Sequence, residues 1–487
     1  MDLYKIVSQL SEEDYSGIYK NLEENKAEKS AAFLKIIREN PETPDKTFLQ
    51  KFDIGAAAFY VLKSRLNQRV EEFIINQLGD PGISIMHRVL NSNELIFQNT
   101  REISTAALRR LERELQRLDF PYGLMIVYRE LQNLNAFNDD QQYYKNRYSQ
   151  QVAYSVAMDK AAEIVTQFFR SYDLYYMGRK DRDLQEMVRQ MEKIDNVCNI
   201  NHESHRLYIY KAIVHIFAKL FVEIPDTIRC EIEDTEVMFE KAIHILDTYK
   251  DDTFYNNINI LFNFLRYVHY DRNHVRDKAR IYFEILDYKI EELLTRFHCN
   301  ANTSLFLFNK LHYHVNSHTI NKLVSDVDVH LSSIEVDTYR LSFYLNFNLF
   351  QAYAYFLDKN YRKTSKLLYN LRNDVNLRKH THADLEIKFF LALTYVMMED
   401  YDLANQLILS LQRQLRKNTM ARYEHAKILL KILSVALGGK VRTRPRNLKI
   451  NIDKWKEVNR GRYALLPDLD LEGVFLSGEV SRIHEND

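Results

Sequence analysis

The sequence predicts an all-α protein, and three observations support this prediction. Of 487 residues only 11 are glycine and 7 are proline, whereas an average chain carries about 7% and 5% of these residues. Such a depletion removes the turn residues on which sandwiches, barrels and βαβ folds depend. Apolar residues recur instead at spacings of three and four, as on one face of a helix. A self-similarity at a spacing of forty residues near the C-terminal end indicates helix pairs that repeat.

Residues 1–79 are predicted to form an N-terminal helical module. Ser11 and the acids that follow it are typical of a helix start. A longer helix over residues 56–78 carries an apolar stripe formed by Phe59, Leu62, Leu66, Val70, Phe73 and Ile74. The Gly79-Asp80-Pro81-Gly82 sequence then ends the helix, and we interpret it as the boundary of the module.

Residues 80–437 are predicted to form an α-solenoid of stacked antiparallel helix hairpins. One early helix carries a row of three arginines, Arg109, Arg113 and Arg117, beside an apolar stripe. The row is able to meet an acidic partner, but we favour a solvated helix face because glutamates are interleaved with it. Further along, 32 Tyr and 27 Phe stand where aliphatic residues are usual. We expect these rings to pack between helices, with a tyrosine-lined ligand groove as the alternative.

The repeat near the C-terminal end is the most informative feature. Five residues, Ala352, Tyr355, Tyr361, Leu368 and Leu371, recur forty positions later as Ala392, Tyr395, Tyr401, Ile408 and Leu411. A small residue such as alanine lets the two helices of a hairpin approach, and the later aliphatic residues seal the contact to the next pair. Because each hairpin alone leaves an apolar face exposed, successive hairpins are expected to stack.

This pattern resembles the tetratricopeptide family, most clearly over residues 347–415. Ala404 stands at the small position of the second helix, and Thr364 replaces it in the preceding unit. A degenerate upstream unit is predicted from Tyr270, Ala279, Phe283 and Leu286, which hold the same relative places. The chain departs from the family in its period, which is nearer forty than about 34 residues. It also lacks the glycine expected before the turn, and Asn348 and Lys388 replace bulky aromatic residues.

The resemblance implies a non-enzymatic scaffold or adaptor that binds a protein or peptide partner along the concave face of the array. The groove positions of the family fall on Asn346, Leu349, Tyr353, Glu386, Phe389 and Leu393. Several of these residues are apolar. The sequence is therefore consistent with an apolar groove or with a face that another part of the same chain covers, and we favour the second because exposed apolar patches are costly.

Residues 438–487 are predicted to form an irregular C-terminal tail in which charges segregate. Residues 438–463 hold nine Lys/Arg and two acids, and residues 464–487 hold six acids and one arginine. The basic segment 440–463, which contains Lys440, Arg442, Arg444, Arg446 and Lys449, suggests an alternative function as a nucleic-acid-binding regulator, with Trp455 and Tyr463 as stacking residues. We favour the interpretation that the two halves neutralise each other or lie along the array, anchored by Leu465-Leu466 and the apolar residues 474–476.

No catalytic, metal or cofactor site is predicted. Among His312, His314 and His318 only the last two share a helix face, and no third ligand is evident. Glycine-rich phosphate loops are absent, which disfavours nucleotide cofactors. A helical hydrolase assembled from distant histidines and carboxylates remains a third hypothesis. The three cysteines, Cys198, Cys230 and Cys299, indicate no disulfide framework.

Partners and location are predicted from charge and hydropathy. Lys+Arg and Asp+Glu both number 67, so the net charge does not favour polyanions or membrane surfaces as partners. The first residues lack a secretory signal, and no run approaches the ~18 apolar residues of a membrane-spanning helix. We expect a cytoplasmic protein whose partner is a protein or peptide, with nucleic acid as the less favoured partner.

Overall fold

A computed structural model describes residues 3–476 with gaps at 11, 41–42, 77–84, 201–203, 251, 332–333, 335, 337, 418–420 and 439–443. Every regular element in this described part is helical, and it contains no β-strand, as the composition predicts. The chain divides into two compact units, one formed by Met1–Lys160 with Cys198–Leu207 and the other by Ala161–Val197 with Tyr208–Asp487.

The helices of the first part of the chain lead up to the long α10, which begins in the first unit and ends in the second. They are α1 (Leu3–Gln9), α2 (Glu12–Glu24), α3 (Glu28–Glu39), α4 (Asp45–Phe52), α5 (Ala56–Asn76), α6 (Ile85–Leu90), α7 (Ser92–Gln98), α8 (Arg101–Arg117), α9 (Pro121–Leu134) and α10 (Asp140–Gly178).

The remaining helices belong mainly to the second unit. They are α11 (Asp181–Cys198), α12 (His205–Phe221), α13 (Asp226–Glu231), α14 (Thr235–Thr248), α15 (Thr253–Arg272), α16 (Arg276–Tyr288), α17 (Ile290–Thr295), α18 (Phe306–Asn316), α19 (Ile320–Val329), α20 (Leu341–Leu357), α21 (Tyr361–Asp374), α22 (Thr381–Met397), α23 (Tyr401–Lys417), α24 (Glu424–Gly438) and α25 (Arg444–Val458).

The first unit has two apolar cores that share α8. One core gathers residues of α1 to α5 around Phe33 and Phe48, whose ring centroids lie 4.6 Å apart, and extends to Ala106 on α8. The other is formed by α8 with α9 and includes Leu111 and Tyr128. The predicted module boundary after residue 79 lies outside the described residues. Because the first core joins α5 to α8, apolar packing continues across that position.

Helices of the second unit pack mainly on their neighbours in sequence. The pairs α15–α16, α20–α21, α22–α23 and α24–α25 form close contacts, and α21 also contacts α22 while α23 contacts α24. A single apolar core runs through α18 to α25 and includes the predicted small residues Ala352 and Ala392, both fully buried. The helices of the two predicted repeats begin forty residues apart, at Leu341 and Thr381 and at Tyr361 and Tyr401.

Seven helix pairs in the described part of the chain share one turn, in which a residue other than glycine adopts a left-handed backbone. The turn residues have φ between 48° and 62° and are Lys26, Asp53, Asp119, His274, His318, Lys359 and Glu399. In each turn the next residue donates its backbone N–H to the carbonyl five residues earlier, as Asn360 does to Tyr355 at 2.8 Å and Asp400 does to Tyr395 at 3.0 Å. This is the Schellman arrangement, which satisfies carbonyls at a helix end.

Five of these pairs, those that turn at Asp119, His274, His318, Lys359 and Glu399, bury residues at matched positions of their second helix. The residue five after the turn residue is Leu124, Ala279, Leu323, Thr364 or Ala404, and the residue nine after it is Tyr128, Phe283, Val327, Leu368 or Ile408, all buried. The upstream unit predicted from Tyr270 thus has the geometry of the two clearer units. Two further pairs, α8–α9 and α18–α19, share this geometry and were not predicted.

The C-terminal tail is not irregular over its described residues, and that prediction is wrong. Residues 444–458 form α25, which buries Leu448, Ile452 and Trp455 in the core of the second unit. Residues 471–476 are also helical. The apolar residues recur at spacings of three and four, so the segment has an amphipathic face, which the high density of Lys and Arg obscures in the sequence.

Candidate functional site

The six predicted groove residues lie on α20 and α22 of the second unit. Five of them are buried, namely Asn346, Leu349, Tyr353, Phe389 and Leu393. Glu386 is partly buried. These side chains are therefore occupied by contacts within the chain.

On α20, Asn346 takes part in a buried hydrogen-bond network. The Asn346 amide donates to the Ser304 hydroxyl at 3.0 Å, and that hydroxyl donates in turn to Asn302 at 2.5 Å. Asn302 donates to the Asp173 carboxylate at 3.2 Å, which completes a polar chain from α20 to α10. Burial raises the pKa of Asp173 to about 6. A side chain tied into such a network is a structural residue in this conformation.

Glu386 on α22 contacts residues 459–471, which we call the C-terminal segment. The Glu386 carboxylate accepts a hydrogen bond from the backbone of Leu466. Asp468 pairs with His312 on α18 at 2.5 Å, and this contact raises the pKa of His312. The segment therefore contacts α22 through the backbone of Leu466 and α18 through the carboxylate of Asp468.

Two further contacts fix the start of the C-terminal segment. The Tyr463 hydroxyl donates to the backbone carbonyl of Arg179 at 3.1 Å. Arg462 pairs with Asp181 at 2.7 Å, and Asp181 also pairs with Arg422 at 2.8 Å. The apolar side chains of the segment are buried and are Leu465, Leu466, Leu469 and Leu471. Burial of four leucines makes this a packed segment, since each contributes about 1.5–3 kcal/mol of transfer free energy.

A cavity of about 290 Å³ remains where the C-terminal segment meets α10, α15, α18, α20 and α22. Its charged and titratable lining residues are Arg179, Asp271, Arg272, His382, Glu386 and Asp468, and aromatic side chains of Tyr172, Tyr176, Phe221 and Phe308 complete it. The Arg179 guanidinium lies 4.8 Å from the Tyr176 ring centre, and its Nε makes no hydrogen bond.

Burial dominates the electrostatics of this cavity. Burial and then the Asp468 carboxylate raise the pKa of Glu386 to about 7, while Arg179 opposes the rise. Burial also lowers the pKa of His382 well below its ordinary value. The pKa of Tyr353 is raised by burial and by Glu386, and its hydroxyl makes no hydrogen bond of standard geometry. The cavity thus raises the protonated fraction of Glu386 and favours a neutral His382.

The basic residues predicted for the alternative function are dispersed. Lys440 and Arg442 lie outside the described residues, as does the side chain of Arg444, whereas Arg446 and Lys449 are exposed on α25. Trp455 is only 3% exposed, so its ring is not free to stack on a base. Lys456 pairs with Glu472 at 2.6 Å, so one cation of the basic half contacts the acidic half.

The other candidate residues of the sequence have structural contacts. In the arginine row, Arg113 pairs with the buried Glu71 at 2.8 Å and Arg109 donates to Tyr144 at 3.2 Å. The row is therefore partly paired, rather than a uniformly solvated face. His314 bonds the Thr319 hydroxyl at 2.8 Å while His312 pairs with Asp468, so the two histidines serve different contacts. Within the described residues no group of three or more potential ligands is placed to hold a metal ion.

Sequence reasoning missed the residues that hold the C-terminal segment. Arg179 and Asp181 lie at a helix junction, and Asp468 lies in a short polar link, so none has a periodic pattern that marks it. The neighbouring Leu465-Leu466 pair, which is predicted from the sequence as an apolar anchor, is fully buried.

No protein-family model, no curated protein and no solved structure matches this chain. None of the helices in the described part of the chain is both long enough and apolar enough to cross a membrane.

Proposed function

We propose that this chain is a non-enzymatic adaptor of stacked helix hairpins that binds a protein or peptide partner on the face formed by α20 and α22. The C-terminal segment contacts that face, and in our proposal it excludes the partner, which we call the closed state. The proposal rests on one observation: the segment contacts Glu386, a predicted groove residue, and Asp468 of the segment pairs with His312 on the adjacent α18.

The chemistry of the occupant supports a peptide as partner. Extended peptides bind helical-repeat faces through apolar side chains and a few charged anchors. The C-terminal segment supplies four buried leucines and one carboxylate, Asp468, that pairs with a histidine. A partner that replaces the segment needs the same combination, namely apolar side chains the size of leucine on both sides of a carboxylate.

Occupation by the segment is tested with a labelled peptide of residues 459–476. In the full chain this peptide competes with a tethered copy whose effective concentration is about millimolar. We expect Leu466→Asp to release the tethered segment and to bind the peptide at least about tenfold more tightly than the parent chain. The control is Leu403→Asp, the same change at an exposed leucine of α23. Equal binding by the parent and Leu466→Asp chains contradicts the closed state.

Partner binding is tested by photo-cross-linking in cells. A cross-linking amino acid replaces Asn309, a partly buried residue that lines the cavity. In the parent chain we expect cross-links to the C-terminal segment, and in the Leu466→Asp chain we expect a defined second protein. Cross-links that remain confined to the chain itself in both cases overturn the adaptor role.

A further inference from the structure

A second groove lies in the first unit and is independent of the face proposed above. It has a volume of about 620 Å³ and runs between the start of α3 and one side of α5. Its apolar lining residues are Ala27, Ile54, Ala58, Val61 and Leu62. Val61 is 47% exposed and Ala58 is also exposed, so this apolar surface is open to solvent.

Four cations border this apolar surface: Lys26 and Lys29 on the α3 side, and Arg65 and Arg69 on the α5 side. Glu28 is the single acid among the lining residues. None of the four cations forms an ion pair with another residue in the described part of the chain. This differs from the arginine row of α8, where Arg113 already has a carboxylate partner. The groove therefore carries uncompensated positive charge around an apolar floor.

The lining positions of α5 fit an elongated occupant. Ala58, Leu62, Arg65 and Arg69 follow one another at spacings of three and four on one side of the helix. From Ala58 to Arg69 the groove follows α5 for about 16 Å, or three turns, at ~1.5 Å per residue. A helix laid against this side meets apolar side chains at its centre and cations at both edges.

We infer that this groove binds an acidic amphipathic helix of a partner protein. Apolar side chains at i, i+4 and i+7 of the partner cover Ala58, Val61 and Leu62, and carboxylates beside them pair with Lys29 and Arg65. Helix-in-groove recognition uses this spacing, and complementary charge raises the association rate and fixes the register. The apolar floor distinguishes this occupant from nucleic acid, whose backbone offers phosphates without apolar side chains.

The inference is tested by fluorescence anisotropy with the full chain and a labelled synthetic helix. The probe has ~15 residues, with leucines at i, i+4 and i+7 and glutamates beside them; a scrambled peptide of equal composition is the reference. We expect the probe to bind at least about tenfold more tightly than the scrambled peptide, and more weakly at high salt because the cations are exposed. Equal affinity for the two peptides, or for a single-stranded oligonucleotide, overturns the inference.

Variants at exposed positions locate the binding. Lys29→Glu and Arg65→Glu reverse the charge of one cation each, and Val61→Asp places a charge on the apolar floor. Each is expected to weaken probe binding by about tenfold. The control is Lys35→Glu, an equal charge reversal at an exposed position of the same α3 that does not line the groove. A melting temperature equal to that of the parent chain, measured by circular dichroism, verifies that each variant folds. If Lys35→Glu weakens probe binding as much as Lys29→Glu does, the assignment of the groove is contradicted.

Discussion

At the scale of single residues, the helix turns explain how a glycine-poor chain forms hairpins. Lys359 and Glu399 lie in the turns of the two clearest hairpins, and both adopt a left-handed backbone with φ of 62°. The left-handed backbone is strained for a residue with a Cβ and is not strained for glycine. The following residues, Asn360 and Asp400, accept hydrogen bonds at 3.2 Å from Lys363 and Leu403 and cap the next helix. These two turns therefore form without glycine.

Glu399→Gly is expected to stabilise the protein. Glu399 is exposed, so the substitution removes little packing, and relief of the left-handed strain is worth about 0.5–1 kcal/mol in the free energy of unfolding. Urea denaturation measures the change. Glu399→Ala is the matched variant, since alanine keeps the Cβ and is expected to give no gain. Equal stabilisation by glycine and alanine contradicts the strained turn.

Glu386 is expected to make stability depend on pH. Its pKa rises from the ordinary 4.5 to about 7 in the folded chain because of burial and the Asp468 carboxylate. The folded state therefore binds this proton more tightly than the unfolded state, so the contribution of Glu386 is fully present below pH 4.5 and is lost as pH rises to about 7. Above that pH the contribution is constant.

The comparison of the parent chain with Glu386→Gln isolates this effect. The glutamine is neutral at every pH, so the difference in free energy of unfolding between the two chains should move in favour of the variant between pH 4.5 and 7. Chemical denaturation at a series of pH values measures it. A difference that stays constant over this range contradicts the raised pKa.

At the scale of elements, sequence reasoning predicted helices more securely than it predicted their contacts. The hairpins around Tyr361 and Tyr401 were predictable because a regular apolar period and a repeat mark both helices. No sequence repeat marks the α8–α9 and α18–α19 pairs, and Leu323 and Tyr128 show their equivalence to the other pairs only through the shared turn. The helix in the tail was not predicted because Lys and Arg side chains on the exposed face of α25 obscure its apolar face in the sequence.

The packing of α25 gives a direct prediction. Trp455→Ala is expected to destabilise the second unit by about 3–5 kcal/mol, the usual cost of truncating a buried aromatic side chain. The control is Val458→Ala at the end of the same helix, where the side chain is 45% exposed and the cost is expected below about 0.5 kcal/mol. Thermal and urea denaturation measure both. A loss for Trp455→Ala no larger than for Val458→Ala means that α25 does not contribute to the core.

At the scale of the whole molecule, the two units offer different kinds of surface. In the second unit, five of the six predicted groove residues are buried, and a segment about 120 residues later in sequence than Leu349 contacts Glu386. The family resemblance supplied these positions, and their apolar character favoured coverage by the chain itself. It did not identify Arg179 or Asp468, because a contact between residues so distant along the chain follows from tertiary packing rather than from local pattern.

Individual cations of the two units differ in whether they are paired. The balanced total of 67 basic and 67 acidic residues hides local imbalance. Lys456 of α25 is neutralised by Glu472, whereas Lys29 and Arg65 of the first unit have no ion-pair partner in the described part of the chain. Net charge alone therefore says little about where a charged partner binds, and pairing of individual side chains decides it.

Hydrogen exchange measured by mass spectrometry tests the central claim, that the C-terminal segment occupies the face of α20 and α22. In the parent chain we expect slow exchange of the amides of residues 463–469, since this segment is packed and its leucines are buried. In the Leu466→Asp chain we expect these amides to exchange quickly and protection to fall at residues 382–386 as well. Fast exchange of residues 463–469 in the parent chain, at the rate of an unstructured peptide, would contradict the account.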